Sequence, residues 1–419
     1  MNNLGLAYQS AGRLAEALRL LEQTLELSKA RLGPEHPLTL TSVNNLAYVY
    51  KSIGKVASAL PLYEQTLELI KAKLGPQHPS TLTLMNNLAG VYESAGRLTD
   101  GLPLYEQTLE LRKAKLGPEH LDTLTSMNNL AWAYKSAGRL PEALPLFEQT
   151  LELLKAKLGP EHPNTLRSMN NLGLAYQSAG RLAEALRLLE QTLELSKARL
   201  GPEHPDTLTS MNNLAAACES AGRLPEALPL YEQTLELKMA KLGPEHPSTH
   251  TSLHNLAKAY LGADRPEKAL PLFDRFLAGR RKSAKPDDPG FAGLLAAVSL
   301  ALLQHHQYPA AETYLRECLT IREKELPDDW VLFDTRSLLG GALAGQKKFA
   351  EAEPLLIGGY SGMKEREQQI PPAAQPRITE AIRSLIDLYT AWDKPDEAAK
   401  WRAMLEQSST KPETTPNPE

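Results

Sequence analysis

One stretch of 42 residues, repeated without drift, constrains this chain more than any other feature. A clean copy runs from Ser126 to Arg167 as SMNNLAWAYKSAGRLPEALPLFEQTLELLKAKLGPEHPNTLR. Asn-Asn-Leu begins at residues 2, 44, 86, 128, 170 and 212, and His254-Asn255-Leu256 continues the series. Gly-Pro falls at 33, 75, 117, 159, 201 and 243. A fixed period of this length predicts a stack of equivalent supersecondary units, each of which buries its apolar face against its neighbours. A stack grows by nearest-neighbour contacts, so the 419 residues need no single large core.

Each unit reads as two helices. In the second unit Leu40, Val43, Leu46, Ala47 and Tyr50 gather on one face at 100° per residue, which predicts a first helix. Gly54 is expected to stop it, being free to take a left-handed conformation. The second helix is expected from about Val56 to Leu74, with Ala59, Leu60, Tyr63, Leu67 and Leu74 inside. Pro141, Pro225 and Pro266 fall at the start of second helices, where a missing N–H costs nothing. The connector Leu-Gly-Pro-Glu-His-Pro turns the chain. Ser80, Asp122, Asn164, Asp206 and Ser248 then stand where an N-cap is wanted. Leu38 has no capping oxygen, so its junction is expected to be the weaker one.

Past about Leu277 the spelling decays while the phase persists: Ala269, Ala311, Ala352 and Ala398 keep the small position of the second helix at spacings of 42, 41 and 46. This makes an all-α solenoid of about ten helix pairs. The expected organisation is regular repeats over 1–279, degenerate repeats with a terminal cap over 280–407, and a disordered tail over 408–419 that has nothing apolar to bury. Arg280-Arg281-Lys282 with Asp287-Asp288 reads as a polar linker. Met1 holds the register of Met127, and residues 1–37 repeat at 169–205 letter for letter. A stack that opens inside a helix is expected to be a fragment or a late start, with an uncapped end through which it self-associates.

The spacing of Leu130, Ala131, Tyr134, Gly138, Ala143 and Phe147 resembles a tetratricopeptide repeat. The 42-residue length, with the NNLA and LGPEHP spellings, is similar to the variety in kinesin light chains and their bacterial relatives. The resemblance implies a right-handed superhelix whose first helices line a concave, peptide-receiving groove. It departs from kinesin light chains in having no coiled-coil heptads before the repeats. The groove positions Gln9, Lys51, Glu93, Lys135, Gln177 and Glu219 also carry no consistent sign. The last part, from ALAGQKKFAEAEPLL onward, is similar to repeat regions appended to bacterial serine/threonine kinases.

Composition removes several classes of function. A net charge of −4 gives no pull toward nucleic acid or an anionic membrane. The longest apolar run, 290–303, is too short to span a bilayer and fits a buried helix. The opening MNNLGLAYQS has no signal-peptide pattern, and a cytoplasmic location is the default expectation. Cys218 and Cys318 stand in for a repeat tyrosine and threonine, so both are expected to be packing residues rather than a disulfide. His36, His78, His120, His162, His204 and His246 occur once per unit. Neighbouring helices pack about 10 Å apart, whereas zinc ligands lie within about 2 Å of one ion. Capping or exposure is the expectation for them, and no metal, cofactor or catalytic residue is expected. Gly359 falls at a small packing position of a second helix, not in a nucleophile elbow.

The asparagine pairs call for a cause, because asparagine is a mediocre helix former. Either they join neighbouring repeats or they offer amides to a guest backbone. The row beside them varies: Leu6, Tyr48, Gly90, Trp132, Leu174, Ala216, Lys258. A constant polar row beside a variable one suits a groove that grips backbone and reads side chains locally. The candidate peptide-binding residues are Asn44, Asn45, Tyr48, Lys51, Asn86, Asn87, Asn128, Asn129, Trp132, Lys135, Asn170, Asn171, Asn212 and Asn213. Trp132 is expected on the groove wall with no role in the apolar face. The function expected is a non-catalytic scaffold for a partner protein or extended peptide. The alternative is the repeat half of a bacterial serine/threonine kinase with its catalytic domain upstream of Met1.

Overall fold

The computed structural model of the chain describes residues 1–10, 13–52 and 55–409. Among them every regular element is helical. The helices come in pairs: α1 (Asn2–Ser10) with α2 (Leu14–Leu32), α3 (Pro37–Ser52) with α4 (Val56–Leu74), α5 (Pro79–Ser94) with α6 (Leu98–Leu116), and α7 (Leu121–Ser136) with α8 (Leu140–Leu158). The series continues with α9 (Pro163–Ser178) and α10 (Leu182–Leu200), α11 (Pro205–Ser220) and α12 (Leu224–Leu242), and α13 (Pro247–Gly262) and α14 (Pro266–Ser283). The less regular pairs are α15 (Pro289–Gln304) with α16 (Tyr308–Glu325), α17 (Trp330–Gly345) with α18 (Phe349–Glu365), and α19 (Pro376–Ala391) with α20 (Pro395–Ser409). The ten pairs form tandem helical repeats in two compact units, Met1–Ser252 and Leu253–Glu419. Residues 410–419, most of the expected tail, lie outside the described residues.

In the first unit Leu40, Val43, Leu46 and Ala47 of α3 are buried with Ala59, Tyr63 and Leu67 of α4 and Leu82, Met85 and Leu88 of α5. One cluster thus spans consecutive repeats, as the period requires. Leu74 departs from expectation and is 39% exposed. It ends α4, and the next first helix does not begin until Pro79.

The turns differ from expectation in one respect. The N-caps are the histidines: in His78, His120, His162 and His204 the Nδ1 accepts from the N–H of Ser80, Asp122, Asn164 and Asp206 at 3.1–3.2 Å. His246 does the same for Ser248 at 3.1 Å. The residues expected as caps are therefore the donors, two positions inside the helix. His36 Nδ1 likewise accepts from the N–H of Leu38 at 3.2 Å, so the junction expected to be weaker has the same bond. Gly75, with φ of 86°, breaks α4, and its carbonyl accepts from the buried Thr81 hydroxyl at 2.8 Å. Gly54 lies outside the described residues; its counterpart Gly96 has a φ of 72°.

In the second unit Ala269, Ala311, Ala352 and Ala398 are at most 1% exposed, which bears out the phase read through the decayed spelling. The expected polar linker is not one. Arg280, Arg281 and Lys282 form the last turn of α14, and Arg281 pairs with Glu317 of α16 at 2.6 Å. Asp288 caps α15, the helix formed by the long apolar run. Cys318 is buried and donates to the Ala292 carbonyl at 3.2 Å, and Cys218 is 2% exposed; both thiols are free. A Cβ on Gly359 would stand 2.8 Å from the Phe333 carbonyl, so α17 and α18 touch there, as expected of a small packing residue. No helix among the described residues is long and apolar enough to cross a membrane.

Candidate groove on the first helices

Successive first helices of the first unit touch one another, α1 to α3, α3 to α5, α5 to α7 and α9 to α11, while second helices make their main contacts with first helices. The first helices therefore form the tighter wall, and the asparagine rows run along it.

The pairs are stitched from repeat to repeat. The Nδ2 of Asn87 donates to Asn44 Oδ1 at 3.1 Å, Asn129 to Asn86 at 3.2 Å, Asn171 to Asn128 at 2.9 Å and Asn213 to Asn170 at 3.4 Å. At these four junctions the second asparagine of a repeat thus serves the first asparagine of the repeat before it, whereas Asn2 Oδ1 has no partner. Of the two causes left open by the sequence, the joining of repeats is directly visible. A side-chain amide has two donors and two lone pairs, so Asn44 and Asn128 keep their own Nδ2 for another partner.

A cavity of about 470 Å³ opens on this wall across α3, α5 and α7. From α3 come Asn44, Asn45, Tyr48 and Lys51; from α5 Asn86, Asn87, Gly90 and Glu93; from α7 Asn129 and Trp132. Tyr63 and Tyr105 reach it from the second helices. Gly90 creates the opening. A Cβ there would stand 3.0 Å from the Tyr105 hydroxyl, and the missing side chain leaves a slot between Tyr48 and Trp132. Tyr48 is 55% exposed, so most of its ring is open to solvent on this wall.

Both signs of charge line the slot. Lys51 Nζ donates to the Gly90 carbonyl at 3.3 Å, and Glu93 accepts from Ser136 at 2.7 Å. Burial, then the Glu93 charge, raise the pKa of Tyr105, so its hydroxyl stays protonated. Trp132 needs a correction. It is half-buried and packs edge-on against Phe147 at 5.9 Å, so it shares in the core as well as in the groove. Lys135 lies over its other face at 4.5 Å, and burial holds that ammonium below the usual lysine range.

Eight of the candidate residues line this cavity: Asn44, Asn45, Tyr48, Lys51, Asn86, Asn87, Asn129 and Trp132. Asn128, Asn129 and Asn171 line a second cavity of about 200 Å³ between α7 and α9. Asn170 is buried, donating to Ser210 at 2.8 Å, and with Lys135, Asn212 and Asn213 lines neither. Gly90, Glu93 and the two floor tyrosines were missing from the candidates. Gly90 was recoverable as the one residue without a side chain in the variable row.

A tetratricopeptide repeat family model matches residues 1–72, 43–100, 80–156, 136–198, 175–240 and 221–282, and a second one matches 292–329. No curated protein matches the chain. Among solved structures, the nearly identical TPR-like repeats described as a kinesin light chain of Podosopora anserina are 35% identical, covering 49% of this chain and 97% of that one, with a TM-score of 0.43. BtubC (BKLC) from P. vanneervenii is 22% identical over 55% of this chain and 92% of its own, with a TM-score of 0.45. A Rap protein complexed with Competence and Sporulation Factor is 12% identical, covers 97% of each chain and has a TM-score of 0.52. With the repeat model matched across 1–282, the chain belongs to the tetratricopeptide repeat family.

Proposed function

We propose that the chain is a non-catalytic interaction scaffold whose first unit binds an extended segment of a partner protein along the wall of first helices. The observation that carries this reading is the slot at Gly90, flanked by the exposed Tyr48 and the half-buried Trp132. The spare amide donor of Asn44 holds the guest backbone, while the slot admits one of its larger side chains. Membership of a repeat family whose fold is typical of interaction scaffolds supports the reading. So does a neighbour of the same fold solved with its factor bound.

The test is to select peptides from a displayed random library on the wild-type protein and measure them on variants. Tyr48→Ala should weaken the selected peptides at least tenfold with little change in melting temperature, because that ring is mostly in solvent. Trp132→Ala should weaken them as much and also lower the melting temperature, because its edge packs on Phe147. A library that yields no binder, or binders indifferent to both substitutions, would remove the reading.

A further inference from the structure

The second cavity, between α7 and α9, lies where the repeat breaks its own pairing rule. Two positions 14 residues apart recur at every junction of the first unit, one on the second helix and one on the following first helix, and they are in contact where Arg112 meets Ser126 at 2.9 Å and Ser196 meets Ser210 at 3.5 Å. They read Ser28 with Ser42, Ile70 with Leu84, Arg112 with Ser126, Leu154 with Ser168, Ser196 with Ser210, and Lys238 with Ser252. Polar meets polar and apolar meets apolar, except that Leu154 meets Ser168.

What the other junctions do with this place is visible. Arg112 is 5% exposed, and its guanidinium donates to the Asp122 carbonyl at 2.9 Å, to Ser126 Oγ at 2.9 Å and to Thr83 Oγ1 at 3.2 Å. In the second unit Arg322 is 7% exposed and donates to the Val331 carbonyl at 2.8 Å and to Thr335 Oγ1 at 2.5 Å. Lys238 brings its ammonium to the Ser248 carbonyl at 3.5 Å but leaves the Ser252 hydroxyl opposite it without a hydrogen-bond partner. Three cations of this chain thus fill one and the same place in three repeats.

One period after Arg112 the acceptors are still there and the cation is not. Thr83, Asp122 and Ser126 become Thr125, Asn164 and Ser168, all three lining the cavity of about 200 Å³. Ser168 is 3% exposed, and its hydroxyl has no hydrogen-bond partner. Leu154 cannot donate to it, and Asn128, whose counterparts Asn2 and Asn170 donate to Ser42 and Ser210 at 3.0 and 2.8 Å, leaves Ser168 unbonded. A buried hydroxyl left unpaired has lost its bond to water without gaining another, and a guest donor would restore one. The space exceeds the about 150 Å³ that accepts a benzene-sized guest, so a planar guanidinium with part of its stem fits. Leu124 and Leu154 supply an apolar wall for the stem, and the exposed Thr125 marks the mouth.

We propose that this cavity is a binding site for a guanidinium group, carried either by a free alkylguanidine or by an arginine side chain of a bound peptide. The site goes beyond the groove reading; it shares Asn129 with the slot, but neither Tyr48 nor Trp132 lines it, so the Tyr48 variant tells the two apart. Arg167 is the opposing feature. It replaces the threonine found at this position in the other regular repeats, and it is held at the rim by Asn164 Oδ1 at 2.5 Å. No carboxylate is among the lining residues to offset it. Arg167 therefore weakens the site, and its removal should strengthen it.

The experiment titrates the whole chain, selectively methyl-labelled at leucine, with agmatine and separately with the capped pentapeptide Ala-Ala-Arg-Ala-Ala. The same peptide with methionine for arginine is the control. The Leu124 and Leu154 methyl resonances should shift saturably with at least one guanidinium probe and not with the control. Leu154→Arg places the chain's own guanidinium in the site and should weaken the probe at least tenfold. Ser168→Leu copies the Ile70–Leu84 junction and should do the same, which covers the case in which the first variant folds poorly. Arg167→Thr should tighten binding at least threefold, and Tyr48→Ala should leave it unchanged. Agmatine binding without peptide binding assigns the site to a free guanidine, and peptide binding assigns it to an arginine side chain. Absence of both, or a response that persists in both filled variants, overturns the proposal.

Discussion

At the scale of single residues, one tyrosine per repeat ties a first helix to the second helix before it, and Cys218 marks a repeat that lacks it. Tyr50, Tyr92, Tyr134 and Tyr176 each donate from the hydroxyl to Glu22, Glu64, Glu106 and Glu148 at 2.6–2.8 Å, across to the second helix of the preceding repeat. Arg97, Arg139 and Arg181 then cover the last three rings at 4.2–4.6 Å. Burial first, and then Glu64, push Tyr92 up to about 12. At Cys218 the partners remain, Glu190 and Arg223, but the ring does not. Cys218→Tyr should therefore raise the urea midpoint by an amount equivalent to about 1 kcal/mol, one charge-assisted bond and one exposed cation–π contact less the entropy of ordering the ring. An unchanged or lower midpoint would show that the junction has repacked around the thiol. The sequence identified Cys218 as a packing residue but not the bond that its predecessors make, because a glutamate on a second helix reads as ordinary solvated surface. A second residue-scale effect belongs to the other unit. There the turn glycine has become Asp264, His306, Lys347 and Asp393, all with φ of 55–63°. A left-handed conformation costs a side-chain-bearing residue about 1 kcal/mol. Lys347 is exposed, so Lys347→Gly should stabilise by about that amount in a denaturant melt; a loss of stability would mean that its side chain holds the turn.

At the scale of helices, the sequence located the connectors of the regular repeats and placed the first second helix it described at the observed bounds, α4 from Val56 to Leu74. Glycine and proline punctuate so strongly that the boundaries follow from local sterics alone. The caps were misplaced by two residues. Histidine is outside the usual capping set, and serine, aspartate and asparagine two positions later are inside it, so the familiar chemistry pointed to the wrong residue. The structure shows why histidine works: its backbone is extended at the cap, with φ of −68° and ψ of 139° at His162, and the ring turns Nδ1 onto the Asn164 N–H at 3.1 Å. Because Nδ1 accepts, the proton of the neutral ring must be on Nε2. His162→Ala should cost about 1 kcal/mol, the usual loss of a side-chain cap, whereas His162→Asn should keep most of it. Equal destabilisation by the two would show that the ring contributes packing rather than a hydrogen bond. The same distinction between face and partner governs the groove. The sequence put the asparagine rows on the first helices, but which repeat each amide serves depends on the distance between helices, and only the three-dimensional stack gives that.

At the scale of the molecule, the period was the most legible property of all, and its consequence can be tested without reference to any ligand. The clusters of the first unit run across repeat boundaries, as Leu40, Ala59 and Leu82 do. Stability in such a stack is a sum of repeat terms and nearest-neighbour interface terms. Removing the 42 residues from Ala89 to Leu130 joins Leu88 to Ala131 in the register of the original Leu130–Ala131 pair. The fused first helix then carries an α5 beginning and an α7 end, and every interface that remains is of a kind already present. One repeat term and one interface term are lost, so the product should melt cooperatively with helicity per residue unchanged and a modestly lower midpoint. Removing the 21 residues from Ala89 to Leu109 instead joins the beginning of α5 to the end of α6. Helix α4 and helix α7 then each face a hybrid helix whose apolar residues come from two different faces, and the asparagine bond between Asn86 and Asn129 has no matching geometry. That product should melt broadly and bind a dye specific for exposed apolar surface. Circular dichroism melts of the two deletions decide the matter: similar loss of cooperativity in both would mean that the repeats are not interchangeable, and that the small departures among them, rather than the shared period, hold the stack together.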